Sequence, residues 1–139
     1  MVIITLSIHL MSKTPNLPAN YQTVMPYLII KDAAGFIEFM KTVFGAEEGH
    51  KAMRDEHIIM HGEVMVGGST IMFADCTEQF TPRPAGMFIY VENADETYQK
   101  ALDAGAKSVM PPSDQPYGRS CGITDPFGND WWPTSIPKS

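Results

Sequence analysis

One order of predicted elements occurs twice in this chain, in two segments about 60 residues apart. The first segment begins with the apolar run VMPYLIIKD, which is typical of a strand, and continues with AAGFIEFMKTVFGA, whose apolar residues have helical spacing. Asp32 precedes this helix as a predicted N-cap, and Gly45 follows it as a stop signal. Three strand-like runs complete the segment, at 49–56, 57–66 and 69–75. The order βαβββ follows for the first unit.

The second segment repeats that order with different residues. The apolar run AGMFIYVEN at 85–93 predicts a strand, and the amphipathic stretch after it ends at Gly105. Asn93 is the predicted N-cap of this helix, with Glu96 three residues further on, as in a capping box. Three runs follow at 107–110, 119–124 and 129–135. The repeat predicts an α+β fold made of two βαβββ modules.

We expect a single domain over residues 22–139, built from repeats at about 22–78 and 85–135, after an N-terminal extension and linker over 1–21. The apolar segment 1–10 lacks the basic start and the cleavage site of a signal peptide. It is either an added edge strand or an upstream start codon read as coding. The domain prediction does not depend on which alternative holds.

Charge and cysteine content exclude several classes of partner and location. The net charge is −6 and the ten basic residues are scattered, which argues against a nucleic-acid partner. No apolar run reaches the ~20 residues that a helix needs to cross a bilayer, so we expect no membrane partner. Cys76 and Cys121 stand alone in the sequence, as reduced thiols do. We therefore expect a cytoplasmic protein.

Two local motifs give the duplicated order a family resemblance. The turn Asp125-Pro126-Phe127-Gly128 leads into the last strand, and the first helix ends in Phe44-Gly45-Ala46. With these motifs the chain resembles the vicinal oxygen chelate superfamily, which includes glyoxalase I, bleomycin-resistance proteins and extradiol dioxygenases, and within it the PhnB-like group. The resemblance implies paired half-barrels around one cleft and a homodimer.

The resemblance also implies a divalent metal, held by His, Gln or Glu from the first and last strand of each module. The matching positions in this chain are Met25, Gly86 or Met87, Met72 or Phe73, and Trp132. None of these residues offers the side-chain donor that a hard or borderline cation needs. We therefore predict no metal at the family position and no other cofactor.

The residues expected around the cleft are instead aromatic, with methionine among them. Such walls favour a flat aromatic or amphipathic molecule, which the protein would bind without transforming it. Strand alternation turns either Phe88 and Tyr90 or Met87 and Ile89 toward the cleft, and the same residue types also fill closed cores. The candidate ligand-binding residues are Met25, Tyr27, Phe73, Phe88, Tyr90, Tyr117, Arg119 and Trp132.

A second reading of the chain rests on its polar residues. His57, His61 and Glu63 share strand parity, with Asp75 on the neighbouring strand. Four residues of strand span about 13 Å, too far for His57 and His61 to share an ion. His61, Glu63 and Asp75 remain the candidate catalytic residues, either as a displaced site for Ni, Zn, Mn or Fe in a lyase, isomerase or transferase, or for acid–base chemistry, in which Arg119 could assist. A hydrogen-bonded structural histidine is the simpler alternative.

Overall fold

The computed structural model of the chain describes residues 15–137. The alternatives for residues 1–10 lie outside this range. The predicted element order is confirmed in both modules. The first module contains β1 (Tyr27–Ile30), α1 (Ala33–Phe44), β2 (Glu47–Met53), β3 (Ile59–Val66) and β4 (Ser69–Asp75), and the second contains β5 (Gly86–Tyr90), α2 (Ala94–Asp103), β6 (Lys107–Gln115), β7 (Gly118–Thr124) and β8 (Asp130–Ser135).

Each module folds into a four-stranded sheet with one helix on one face. The strand order is β1-β4-β3-β2 in the first sheet and β5-β8-β7-β6 in the second. The first strand of each module runs parallel to the last, β1 to β4 and β5 to β8, and the other neighbours are antiparallel. The α+β class with two βαβββ modules is therefore confirmed. In the described part of the chain, neither helix is long and apolar enough to cross a bilayer.

The predicted cap residues form the helix ends. Asp32 accepts a hydrogen bond from the Gly35 N–H at 3.0 Å, and Asn93 accepts one from Glu96 N–H at 3.1 Å. Gly45 adopts a left-handed conformation, with φ of 67°, and its N–H donates to the carbonyl of Lys41. These local signals define where each helix begins or ends.

Several predicted strand boundaries are wrong, including both ends of the run expected at 49–56, which forms β2 over Glu47–Met53. The strand expected from residue 57 begins at Ile59, because Asp55 accepts hydrogen bonds from the N–H groups of His57 and Ile58 and forms a turn there. The strand expected at 107–110 continues to Gln115, through two consecutive prolines. An edge strand tolerates proline because one side of its backbone needs no ladder hydrogen bonds, and β6 is an edge.

Helix α1 forms the junction between the two modules. Phe36 packs on Phe73 of the first sheet, with ring centroids 5.1 Å apart, and also meets Phe127 of the second module at 5.6 Å. Phe44 lies on Trp131 of β8 at 4.8 Å. The helix-facing sides of both sheets are therefore buried. We call the opposite sides open face A, on the first sheet, and open face B, on the second.

Candidate functional site

Open face B carries four aromatic side chains, which we call the aromatic surface: Phe88, Tyr90, Tyr117 and Trp132. Phe88 is 50% exposed, Tyr90 63% and Tyr117 53%. The Phe88 ring centroid lies 5.1 Å from that of Tyr90 and 6.3 Å from that of Tyr117. Trp132 pairs with Phe88 across the strands. Rings at these distances offer stacking and edge contacts to a further aromatic group.

The backbone beneath Trp132 makes room for its ring. A Cβ atom at Gly122 would lie 2.4 Å from the Trp132 ring, so any larger residue there would displace the indole. Met87 and Ile89 pack instead against the core. The alternation of β5 therefore turns Phe88 and Tyr90, rather than Met87 and Ile89, toward open face B.

A cleft of about 400 Å³ lies between the modules beside this surface. Phe88 and Tyr90 line one side, and Gln22, Pro26 and Thr70 line the other. The volume falls in the range of small-molecule sites. An aromatic wall, a few polar groups and this size suit a small organic molecule.

Open face A carries a hydrogen-bonded network of two tyrosines, a histidine and a glutamate. The Glu63 Oε2 atom lies 2.6 Å from His61 Nε2, and His61 Nδ1 lies 3.0 Å from the Tyr27 hydroxyl. The Tyr21 hydroxyl donates to both Glu63 oxygens, at 2.9 and 2.8 Å. Glu63 is only 5% exposed, whereas Tyr27 is 48% exposed. The network thus leads from a buried carboxylate to a surface phenol.

The network favours an ionised Glu63. Burial alone would raise the pKa of its carboxyl group, but hydrogen bonds from His61 and Tyr21, with the electrostatic effect of the nearby His61 and His50 rings, outweigh burial and lower that pKa. The hydrogen bond to Glu63 raises the pKa of Tyr21, with help from burial. Burial and the Glu63 charge raise the pKa of Tyr27. Both phenols therefore keep their protons at neutral pH.

Tyr21 lies in the segment predicted as a linker, and its role was missed. The Gln22 side chain explains its position, since Nε2 donates to the Thr70 carbonyl at 2.9 Å and Oε1 accepts from the Thr70 N–H at 3.1 Å. The Thr70 hydroxyl also donates to the Asn20 carbonyl. An amide side chain here pairs with both backbone groups of Thr70. No periodic pattern in the sequence signals such a contact.

Three expected positions are corrected. Phe73 is fully buried against Phe36 of α1, so it does not face the open side of its sheet. Asp75 accepts hydrogen bonds from the N–H groups of Ala33 and Ile59, at 2.8 and 2.7 Å. Met25 is half-buried and precedes β1 rather than lying on it. Asp75 joins the start of α1 to β3, because its oxygens are held by backbone donors, and it does not meet His61 and Glu63.

Arg119 is held by carboxylates of its own module. Its guanidinium donates to both oxygens of Asp95, at 2.6 and 3.0 Å, and to Asp114 at 3.1 Å. These hydrogen bonds raise the pKa of Arg119, so the charge persists but is balanced. The contacts made by Arg119 are with these two residues rather than with Glu63 or Asp75.

The cysteines behave as the sequence predicts. Both are free thiols, and Cys121 is fully buried. Burial, with a smaller effect of the Asp95 charge, raises the pKa of Cys121 to about 11. A thiol with so high a pKa is a poor nucleophile.

The side chains present do not fit the metal that the family resemblance implies. Met72 lies opposite Tyr27, and Trp132 lies opposite Phe88, at the strand pairs where ligands were expected. Thioether and aromatic groups are poor donors for hard or borderline cations. Within residues 15–137, no three His, Cys, Asp or Glu side chains converge as a metal site. The proposed trio of His61, Glu63 and Asp75 is thus not assembled.

Comparisons with known proteins agree with this fold. The family model described as Glyoxalase/Bleomycin resistance protein/Dioxygenase superfamily matches residues 21–132. The uncharacterized protein Mb0911c of Mycobacterium bovis is 31% identical over 118 residues, covering 76% of this chain and 78% of that protein. Among solved structures, TioX from Micromonospora sp. ML1 is similar with a TM-score of 0.66 and 23% identity, covering 84% of this chain and 97% of TioX.

A PhnB protein from Bacillus cereus is also similar, with a TM-score of 0.67 and 20% identity over 83% of this chain and all of that one. At these identities the two structures support the fold, and the family model covers most of the sequence. The chain belongs to the Glyoxalase/Bleomycin resistance protein/Dioxygenase superfamily.

Proposed function

We propose that this protein binds a small aromatic or amphipathic molecule at the aromatic surface and the adjoining cleft, without transforming it at a metal centre. The observation that carries the proposal is the cluster of Phe88, Tyr90 and Tyr117, each about half exposed on one face. Large rings left exposed together mark binding sites more often than they mark an ordinary surface. The neighbouring cleft supplies a concave wall for the same ligand.

Binding is proposed to need no metal cofactor. The support is the chemistry of the donors, since Met72 and Trp132 stand where oxygen or nitrogen ligands would be needed. The contacts of Asp75 with backbone N–H groups remove the third member of the alternative metal site. Binding of the bleomycin-resistance type is therefore better supported for this chain than catalysis at the alternative metal site.

The proposed partners are the small molecule and a second copy of the chain, in the cytoplasm. Exposed aromatic side chains on both open faces, Tyr27 on the first sheet and Phe88 on the second, suit cover by another copy. A two-fold dimer would bring the same patches together from both chains. The two free thiols support a reducing compartment.

The test is a titration of tryptophan fluorescence with 4-nitroanisole, a planar aromatic compound that quenches indole emission on contact. We expect saturable quenching, because Trp132 lies on the aromatic surface and Trp131 lines the adjoining cleft. Phe88→Ala should weaken binding about tenfold, the size of one good aromatic contact. Phe80→Ala is the matched control, since Phe80 is 57% exposed and lies outside the aromatic surface.

Equal affinity in the Phe88→Ala and Phe80→Ala variants would place the ligand elsewhere. The absence of saturable quenching in the wild-type protein would contradict the proposed function itself.

A further inference from the structure

Three side chains on open face A form a line from the interior to the surface. Glu63 at 5% side-chain exposure contacts His61 at 25%, with 2.6 Å between Oε2 and Nε2. His61 Nδ1 is in turn 3.0 Å from the Tyr27 hydroxyl, and Tyr27 is about half exposed. The outermost group of the line is therefore a phenol that a ligand can touch.

The direction of each hydrogen bond follows from the charge on Glu63. An ionised carboxylate only accepts hydrogen bonds, so His61 Nε2 carries the ring proton and donates it. With the proton on Nε2, Nδ1 can accept a hydrogen bond, and the Tyr27 hydroxyl is the donor within reach at 3.0 Å. Tyr27 itself is 48% exposed, so the line ends at the open face. This arrangement is that of a base held in one tautomer by a carboxylate.

The second module shows that the fold does not require these three groups. Asp75 and Ser135 are equivalent, because they accept hydrogen bonds from the first N–H of α1 and of α2 respectively. Counting back from these anchors, Tyr27 and Met72 correspond to Phe88 and Trp132.

The residue beside Met72 is Glu63, and the one beneath Trp132 is Gly122. Two residues earlier in each strand, His61 corresponds to Ser120. The equivalent strands of the second module thus form without the line. They carry Phe88, Gly122 and Ser120 where the first module carries Tyr27, Glu63 and His61. Because the second module forms the same sheet without these groups, their presence in the first module points to a role beyond forming the sheet.

We propose that Tyr27, His61 and Glu63 form a metal-independent proton-accepting site for an aromatic compound with a weakly acidic hydroxyl, a phenol or an enol, which binds as its anion. The proposal rests on the proposed function, since the aromatic part of the compound would occupy the cleft. Gln22 and Pro26 line that cleft and are the chain neighbours of Tyr21 and Tyr27. The cleft thus adjoins the start of β1, the strand that carries Tyr27.

The transfer moves one proton and no electrons. The ligand O–H bond breaks as its proton forms a new bond to the Tyr27 oxygen, while the original Tyr27 proton bonds to His61 Nδ1. The ligand anion then accepts a hydrogen bond from Tyr27. The resulting imidazolium is stabilised by the adjacent Glu63 carboxylate.

The groups around His61 favour a positive charge on its ring beside the negative charge of Glu63. Glu63 on the same strand is the only carboxylate in the network, and Tyr21 and Tyr27 are neutral donors. His50 of β2 lies 6.1 Å from His61, ring centroid to ring centroid. Strand β4 contributes Met72, which carries no charge. A ligand anion at Tyr27 would therefore face the positive end of the line rather than the buried carboxylate.

The experiment compares 4-nitrophenol with 4-nitroanisole, which has the same ring but no acidic proton. Both are titrated against the full-length protein at a pH below the pKa of free 4-nitrophenol, with binding followed by tryptophan quenching and ionisation by the nitrophenolate absorbance. We expect bound 4-nitrophenol to be ionised, with its ionisation constant raised about tenfold. Tyr27→Phe and Glu63→Gln should abolish this ionisation while retaining 4-nitroanisole affinity.

Tyr98→Phe is the matched control, since the Tyr98 hydroxyl bonds only to Ser108 on the second module and should leave both readouts unchanged. If 4-nitroanisole binds but bound 4-nitrophenol stays protonated, or if Tyr27→Phe still ionises it, the proton-accepting site is overturned and the proposed function stands. If neither compound quenches the protein, the proposed function fails and this inference fails with it.

Discussion

At the scale of single residues, Glu63 is a charged side chain that folding removes from water. It is almost fully buried and accepts hydrogen bonds from His61 and from the Tyr21 hydroxyl, which lies within 2.9 Å of both carboxylate oxygens. Its pKa is lower in the folded protein than the ordinary value, so folding stabilises the ionised form. This stabilisation is complete above the pKa of the unfolded chain, about 4.3, and is lost as pH falls through the lower folded value.

Glu63→Gln should therefore lower the free energy of unfolding at neutral pH by about 2 kcal/mol, the size of hydrogen bonds to a charged group. The difference from wild type should narrow in acid, where Glu63 is protonated in both states. Urea unfolding over a series of pH values measures it. A difference that stays constant into acid would show that the ionised carboxylate is not what stabilises the fold.

Asp125 is the second buried carboxylate with a full set of partners, and it serves structure. Its oxygens accept from the Trp131 indole at 2.8 Å, from the Asn129 amide, and from backbone N–H groups of Phe127 and Asn129. Asp125→Ala should lower the free energy of unfolding by about 3 kcal/mol, because four buried donors lose their acceptor. Thermal unfolding measures this, with exposed Asp130→Ala as control; equal losses would contradict the assignment.

At the scale of elements, a glycine in one strand of each sheet, Gly62 in β3 and Gly122 in β7, makes room for an aromatic ring on the strand beside it. A Cβ at Gly62 would lie 2.5 Å from the buried Phe73 ring, and one at Gly122 would lie 2.4 Å from the half-buried Trp132 ring. Gly62→Ala should cost about 2 kcal/mol of stability, because Phe73 cannot move beneath α1. Gly122→Ala should cost less, since Trp132 can swing outward, but should shift tryptophan emission and weaken 4-nitroanisole binding.

Unfolding curves and emission spectra of the two glycine variants provide the check. An unchanged emission spectrum in Gly122→Ala, with full ligand affinity, would mean that Trp132 is not part of the binding surface.

The helices and strands also show which features of the fold could be predicted from the sequence. The helix limits at Asp32, Gly45 and Asn93 were predictable, because caps depend on residues within one turn. The orientation of β4 was not, because STIMFAD is apolar on both faces and alternation cannot say whether Met72 or Phe73 meets the helix.

Contacts between residues far apart in the chain could not be predicted from the sequence. Tyr21 and Glu63 are 42 residues apart, and only the folded sheet brings them together. Asp75 was predicted to lie with His61 and Glu63, but its partners are the backbone N–H groups of Ala33 and Ile59, which no side-chain pattern indicates.

At the scale of the whole molecule, two modules with one topology present different chemistry. The second offers rings, and the first offers a buried carboxylate, a histidine and phenols. Neither offers a converged set of metal ligands within residues 15–137.

Protein purified without an affinity tag and offered Ni, Zn, Mn or Fe should retain metal well below one ion per chain after dialysis. Elemental analysis at known protein concentration measures this. About one tightly held ion per chain would contradict the metal-free account and favour a metal-dependent enzyme.

The central claim is that the aromatic surface binds planar molecules, and mapping by NMR tests it most directly. Addition of 4-nitroanisole to isotope-labelled protein should shift the amide signals of Phe88, Tyr90, Tyr117 and Trp132, and of Gly122 beneath the indole. Signals of Asp95 and Asp114, around the paired Arg119, should not move. Shifts centred on that ion-pair cluster, or none at a large excess of compound, would contradict the account.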